Sequence, residues 1–381
     1  MSESIFYKGR GTPEMYDDLM DFMNYVFGFN GDGSDFKKLL PKCYNKEYDP
    51  CHNNYVVTEN GKLRAAIGAY DYDLSVGGEI LKTRGIGNVA VHPYFRSMGY
   101  MKDCMRMALG DMIADGVDFS LLGGQRQRYQ HFGFEQAGAQ YVVSVDRGNL
   151  RRAFENVPLP EYELRDVTGA DEELIEKMYA LHSARDYRML RPREDFFNIA
   201  RSWRSNVTAI LKDGEFRGYF TGGLHELTLI DPAELTDAVR NYVKQRGDVS
   251  IDVPAWETET VGALRTFGGG ISYGNSEMFN ILNYRHVTET LLKFKASREI
   301  LGDGELTLFI HGFAGDERFR IAVKNNEVTV EPSAAGDALE LDHLEAISFL
   351  AGIFSLKRGA LPVAILSWFP LPLFVDTADH V

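Results

Sequence analysis

Val89-Ala90-Val91-His92-Pro93-Tyr94-Phe95-Arg96-Ser97-Met98-Gly99-Tyr100-Met101 is the stretch on which the fold turns. An apolar run stops at a proline, and a turn with an arginine and a glycine follows. From Met101 apolar residues recur at Met105, Ala108 and Met112, flanked by Cys104, Leu109 and Ile113. The period has changed from strand to helix, and Gly116 supplies the stop. Phe119-Ser120-Leu121-Leu122 then reads as a short buried strand. Upstream, residues 55–58 and 63–70 flank Asn60-Gly61, a pair that accepts positive φ at both hairpin positions. Gly77-Gly78 turns the chain again before the strand ending at Val91, and residues 15–27 carry a helical period. Hairpin, strand, crossover helix and strand together predict an α/β unit with a parallel pair.

A second segment repeats this outline. Strands are expected at 207–211, 216–220 and 227–230, with Asp213-Gly214 as the hairpin turn. Leu229-Ile230-Asp231-Pro232 stands where Ala90-Val91-His92-Pro93 stood, and both following helices stop at glycine, which indicates a duplication. Pro93 to Gly116 spans 23 positions and Pro232 to Gly247 only 15. The second copy has no counterpart of the loop with Arg96 and Gly99, so a structural role is expected for it. From about residue 284 a third rhythm begins: a helix at 287–295, strands at 305–311, 319–323 and 327–330, and apolar helices at 344–354 and 361–368. The expected organisation is three domains, 1–150, 151–283 and 284–381, of class α/β and α+β.

The bulk numbers suit this. A chain of 381 residues exceeds one ordinary core. Its net charge of −14 argues against nucleic acid, whose phosphates need a basic surface, and favours cationic partners. No apolar run is long enough to span a bilayer. The first residues carry no basic stretch or apolar signal core, so the expected location is cytoplasmic. Cys43, Cys51 and Cys104 form no disulfide framework, and Cys51-His52 lacks a second ligand pair at zinc spacing; free thiols and no metal are expected.

Three motifs compete for chemistry. Gly85-Ile86-Gly87-Asn88-Val89-Ala90 fits a dinucleotide fingerprint, but such glycines must follow a strand and open a helix, and here a strand follows them. In the second motif, a strand end, an Arg/Gly turn and a helix N-terminus make an anion cradle of outward N–H groups. The third is Arg128-Tyr129-Gln130-His131-Phe132-Gly133-Phe134, just after the next strand.

With 33 positions from Arg96 to Tyr129, the last two motifs together resemble the GNAT superfamily of acyl-CoA-dependent N-acyltransferases. The whole layout resembles its Eis (enhanced intracellular survival) family: tandem GNAT folds, the second degenerate, and a C-terminal domain like sterol carrier protein. Glu277-Met278-Phe279-Asn280-Ile281-Leu282-Asn283 looks like the approach to that third domain. The resemblance implies acetyl-CoA as co-substrate. It implies donor contacts from Val89, Ala90 and Val91, from Arg96, Ser97, Met98, Gly99, Tyr100, Met101 and Lys102, and from Gly124 and Gln125. It makes Tyr129 the general acid for the leaving thiolate and the terminal carboxylate of Val381 the base. The implied reaction is direct attack of a primary amine, on an aminoglycoside, polyamine or lysine-like acceptor, by a homo-oligomeric enzyme. Rival readings are a lipid or sterol carrier, from the apolar helices of the third domain, and a longer-chain peptide N-acyltransferase. A covalent route through Cys104 competes with a thiol packed beside the helix's apolar stripe. Phe27, Phe29, Asp32, Asp35 and Phe36 are the candidates for an acceptor cleft.

Overall fold

A computed structural model describes residues 4–29, 35–334 and 336–381. Eight strands form the central sheet, in the order Phe6–Arg10, Asn54–Glu59, Lys62–Asp71, Thr83–Val91, Phe119–Leu122, Gly270–Ile281, Glu135–Val145 and Val249–Pro254. The hairpin turns at Asn60 and Gly61, with φ of 51° and 75°. Thr83–Val91 runs parallel to Phe119–Leu122 through Thr83↔Phe119, Arg84↔Ser120 and Gly85↔Leu121. The crossover helix between them is Tyr100–Ala114, which buries Tyr100, Cys104, Met105, Ala108 and Met112 on the stripe read from the sequence. Gly116 follows it at φ 68°. On the opposite face, helix Tyr16–Gly28 buries Leu19, Met20 and Met23.

The second segment repeats the order. Val207–Lys212, Glu215–Thr221 and Glu226–Leu229 form a meander, joined on its other edge by Glu163–Asp166. Helix Leu235–Arg246 ends at Gly247, φ 109°. The strand after it, Val249–Pro254, pairs with Glu135–Val145 in the central sheet instead of with Glu226–Leu229.

The C-terminal unit is a four-stranded sheet, Glu327–Pro332, Gly315–Lys324, Gly304–Gly312 and Leu339–Asp342, with a parallel pair at one edge. Helices Tyr284–Arg298 and His343–Ala351 accompany it. Leu308, Ile310, Phe319 and Ile321 pack in one continuous core with Phe119 and Phe279 of the central sheet and with Trp368, Leu371 and Leu373 of the tail. Burial of each such large side chain contributes about 2–3 kcal/mol, which holds unit and sheet together.

The expected helix at 344–354 ends at Ala351, where Gly352 turns extended. The one expected at 361–368 shrinks to Val363–Leu366; Pro370 and Pro372 forbid continuation. Strand Gly270–Ile281 gave no alternating signal, because its burial changes along its length instead of across it: exposed at Gly270–Tyr273, buried on both faces at Met278–Ile281. It lies between Phe119–Leu122 and Glu135–Val145, so the central sheet carries strands from both sides of residue 150.

Candidate functional site

The parallel strands part after Gly85 and Leu121, opening a wedge at their C-terminal ends. Val91 and Ala90 pair with Ala65 and Ala66 on one side; the other edge of the Val89–Val91 stretch faces the wedge. Its mouth is the loop between Pro93 and Tyr100. Arg96, Ser97, Met98 and Gly99 are exposed there, followed by buried Tyr100, half-buried Met101 and exposed Lys102. Ser97 and Gly99 have φ of 67° and 84°, which fold the loop back on the helix. Among the described residues no carbonyl accepts from the N–H groups of Ser97, Met98 or Gly99. With the free N–H groups of the helix's first turn they form a row of donors beside Arg96 and Lys102, which fits a pyrophosphate.

On the other wall, Gly124 and Gln125 lead into the helical turn Arg126–Tyr129. Gly124, at φ 148°, has no room for a side chain: a Cβ would lie 2.7 Å from the Tyr129 ring. Tyr129 is buried, and burial pushes its phenol above the ordinary tyrosine range against the opposing pull of Arg128. Two clamps from outside the first unit fix the following turn. Asn280 donates to Phe132 O at 2.9 Å, and His343 Nε2 lies 2.9 Å from Gly133 O.

The C-terminus enters this site. Val381 lies over the strand Thr83–Val91: a Cβ on Gly87 would sit 2.9 Å from its carboxyl carbon, and one on Gly85 would meet its side chain at 2.6 Å. The Gly85-x-Gly87 pair therefore makes room for the chain end. Arg191 holds Asp379 at 2.7 Å and Glu226 at 2.8 Å, with all three side chains buried. Arg185 holds Asp376 at 2.8 Å, Lys42 donates to Ala378 O at 2.6 Å, and Trp203 donates to His380 O at 3.0 Å. Despite burial, Arg191 keeps the carboxyls of Asp379 and Glu226 below their usual range.

A cleft of about 700 Å³ opens beside Val381. Tyr48, Tyr70 and Tyr72 line it, as do Asp71, Asp73 and Asp195. Asp71 is paired with Arg84, and Asp195 accepts from Tyr48 at 2.5 Å. The Tyr72 hydroxyl is buried and has no hydrogen-bond partner among the described residues. Sequence reading missed these residues, although Tyr70-Asp71-Tyr72-Asp73 alternates rings and carboxylates at a strand end.

Of the acceptor candidates taken from sequence, Phe27, Phe29, Asp35 and Phe36 do not line this cleft. Phe36 is core, packed on Phe27 and Tyr44. Asp35 caps a short helix, Phe29 stacks edge-on against Tyr25, and Asp32 lies outside the described residues. The three cysteines are free and buried. Burial raises the Cys104 thiol to about 12, which removes the thiolate a covalent route needs.

Residues 10–137 match the profile of the acetyltransferase (GNAT) domain. Among curated protein sequences none matches significantly. Solved structures similar over the full length include two GCN5-related N-acetyltransferases. The one from Kribbella flavida is 16% identical over 99% of both chains, with a TM-score of 0.65. The one from Anabaena variabilis is 16% identical over 98% of both, with a TM-score of 0.66. Eis1 from Mycobacterium abscessus is 13% identical over 99% of this chain and 100% of that one, with a TM-score of 0.65. The fold is thus mixed α/β and GNAT-like.

Proposed function

We propose that this acyltransferase, with its GNAT domain at residues 10–137, transfers the acetyl group of acetyl-CoA to a primary amine of a cationic acceptor. The acceptor class is an aminoglycoside, a polyamine or a lysine-like amine. We further read the chain as Eis-like: a catalytic unit at 1–150, a degenerate copy at 151–283 and a sterol-carrier-like unit at 284–381, acting as a homo-oligomer in the cytoplasm. The observation that carries the reading is the pinned C-terminus. Three residues of the tail or its neighbours, Asp376, Asp379 and Glu226, are committed in buried ion pairs to holding it, and it ends on Gly87 at the wedge, beside an acidic, tyrosine-lined cleft.

In this reading the donor N–H groups of residues 97–102, with Arg96 and Lys102, hold the pyrophosphate. The free edge of Val89–Val91 lies along the extended arm, and Gly124 and Gln125 close the other side. A backbone N–H near Val91 stabilises charge developing on the thioester oxygen. Tyr129 stays protonated through burial and gives its proton to the leaving thiolate. The Val381 carboxylate orients the ammonium group of the acceptor, and Asp73 with the tyrosine rings supplies charge and cation–π contact.

A tail extension tests the reading. Adding a few residues after Val381 keeps every side chain and moves the carboxylate off Gly87. Acetylation across a panel of polyamines, aminoglycosides and lysyl peptides is expected to fall while acetyl-CoA still binds. Undiminished acetylation by a folded, extended chain would remove Val381 from the mechanism. A lipid carrier, the reading from a different class, predicts apolar ligand binding in the third unit and indifference to the extension; the continuous packing of that unit's core speaks against it.

A further inference from the structure

Opposite the tail, one carboxylate in the wedge has no assigned part. From the register Met278↔Leu122 and Phe279↔Leu121, Glu277 stands across from Gly123, on the same face of the sheet as Gly85, Leu121 and Phe279. Glu277 lies against Gly123: a Cβ there would touch its Oε1 at 3.4 Å, an ordinary van der Waals distance. Gly124, packed against the Tyr129 ring, is the next residue. Across the face, Glu277 Oε2 lies 3.5 Å from His380 Nδ1, and its side chain is 17% exposed. The chain end on one strand and Glu277 beside the other thus flank the mouth from two sides.

We infer that Glu277 is the proton acceptor of the acetyl transfer, with the Val381 carboxylate as the anchor of the incoming ammonium group; this rests on the amine-transfer reading above. A carboxylate that anchors a cation is best kept ionised. One that takes a proton must be poised to hold it near neutral pH. Glu277 has the second environment. No cation pairs with it at hydrogen-bond distance among the described residues, and burial raises its carboxyl to about 7. The groups facing it are His380 and Tyr72. His380 is held neutral by burial, its pKa lowered to about 4, and its Nε2 lies 3.2 Å from Val375 O. With the ring proton on Nε2, Nδ1 presents a lone pair toward Glu277 and accepts from its O–H once the carboxyl is protonated.

The step balances as follows. Glu277 takes one proton from the ammonium group and releases it to solvent through the cleft. The neutral amine attacks the thioester carbonyl carbon; the C–N bond forms, and the C–S electron pair leaves on sulfur. Tyr129 gives its proton to the thiolate and regains one from solvent, while Glu277 removes the second proton from nitrogen. The sum is ammonium plus thioester giving amide, thiol and one proton.

The test uses the full chain and whichever of spermidine, kanamycin or a lysyl peptide it acetylates fastest. Glu277→Gln is expected to lower turnover by about a hundredfold or more and to abolish the acid limb near pH 7 in the pH profile of kcat/KM. Glu277→Asp keeps a carboxylate and is expected to retain the limb at reduced rate. Acetyl-CoA affinity, measured by calorimetry, should be unchanged in both variants, which reports the intact fold. A persisting acid limb or undiminished turnover in Glu277→Gln overturns the assignment and returns the base to Val381. If the unmodified chain binds acetyl-CoA but acetylates no member of the panel, the amine-transfer reading itself falls, and this role with it.

Discussion

The two wedges of the molecule share an outline and differ in what they hold. In the first, Thr83–Val91 and Phe119–Leu122 pair over three residues and then diverge, and a loop with exposed N–H donors leads into the crossover helix. In the second, Glu226–Leu229 and Val249–Pro254 belong to different sheets. A single turn, Pro232–Glu234, leads directly into helix Leu235–Arg246, and the Asp231 carboxylate accepts from Ala233 N at 2.9 Å. In the first copy His92 stands at that position and accepts from Tyr94 N at 3.3 Å; the second copy puts a carboxylate there and lacks the donor loop that follows, so a phosphate meets repulsion and finds no donors. The smaller cleft between the second pair of strands, about 320 Å³, is lined in part by Phe374 and Asp376 of the tail. Where the first segment has a donor loop, the second has a clamp: its Arg185, Arg191 and Glu226 hold the chain end that enters the first.

The clamp is the feature whose loss should cost most. Arg191→Met leaves Asp379 and Glu226 buried without their cation, a change of about 3–5 kcal/mol in stability, measurable by denaturant unfolding. Where the protein still folds, turnover should fall while acetyl-CoA binding at the first wedge persists. The same clamp predicts acid sensitivity. Asp379 and Glu226 titrate below their unfolded values. Their contribution is therefore complete above the unfolded carboxylate range and disappears as pH falls through the folded values. Asp376, whose carboxyl burial pushes up, offsets part of it. Unfolding followed from neutral to acidic pH, with Arg191→Met as the comparison, checks the sign.

The donor loop should come next. Arg96→Glu combined with Gly99→Trp removes a charged contact and forces a side chain onto φ 84°. A loss of roughly 3 kcal/mol, somewhat over a hundredfold in acetyl-CoA affinity, is expected. Calorimetry on the unchanged chain should show a stoichiometry near one; two equal sites would erase the distinction between the wedges. Tyr129→Phe keeps the ring and removes the proton, and should lower turnover by about a hundredfold with similar acetyl-CoA affinity. The smallest effect belongs to the second wedge. Asp231→Ala should cost under about 1 kcal/mol of stability as a lost cap and leave acetyl-CoA binding unchanged, whereas any gain of a second site would show the carboxylate to be the sole barrier.

The sequence by itself determined what depends on near neighbours. Asn60-Gly61, Gly116, Asp213-Gly214 and Gly247 specify turns and stops because positive φ is a property of one or two residues. The strand-turn-helix around Arg96 and Gly99 is legible because its period changes within a dozen positions. Even the difference between the two copies was visible as a missing loop. Only the tertiary structure decided where distant segments meet. Gly270–Ile281 has no periodic signal of its own, since its burial is set by Phe119–Leu122 on one edge and Glu135–Val145 on the other. That insertion carries Glu277 into the wedge, although its sequence neighbourhood resembles only the approach to a third domain. The close approach of Gly85 and Gly87 to Val381, nearly 300 positions later in the chain, follows from ion pairs that Arg185 and Arg191 make across units. Local conformational preference is written residue by residue, but desolvation and charge pairing are properties of what surrounds a side chain, and the surroundings of this site come from every part of the chain.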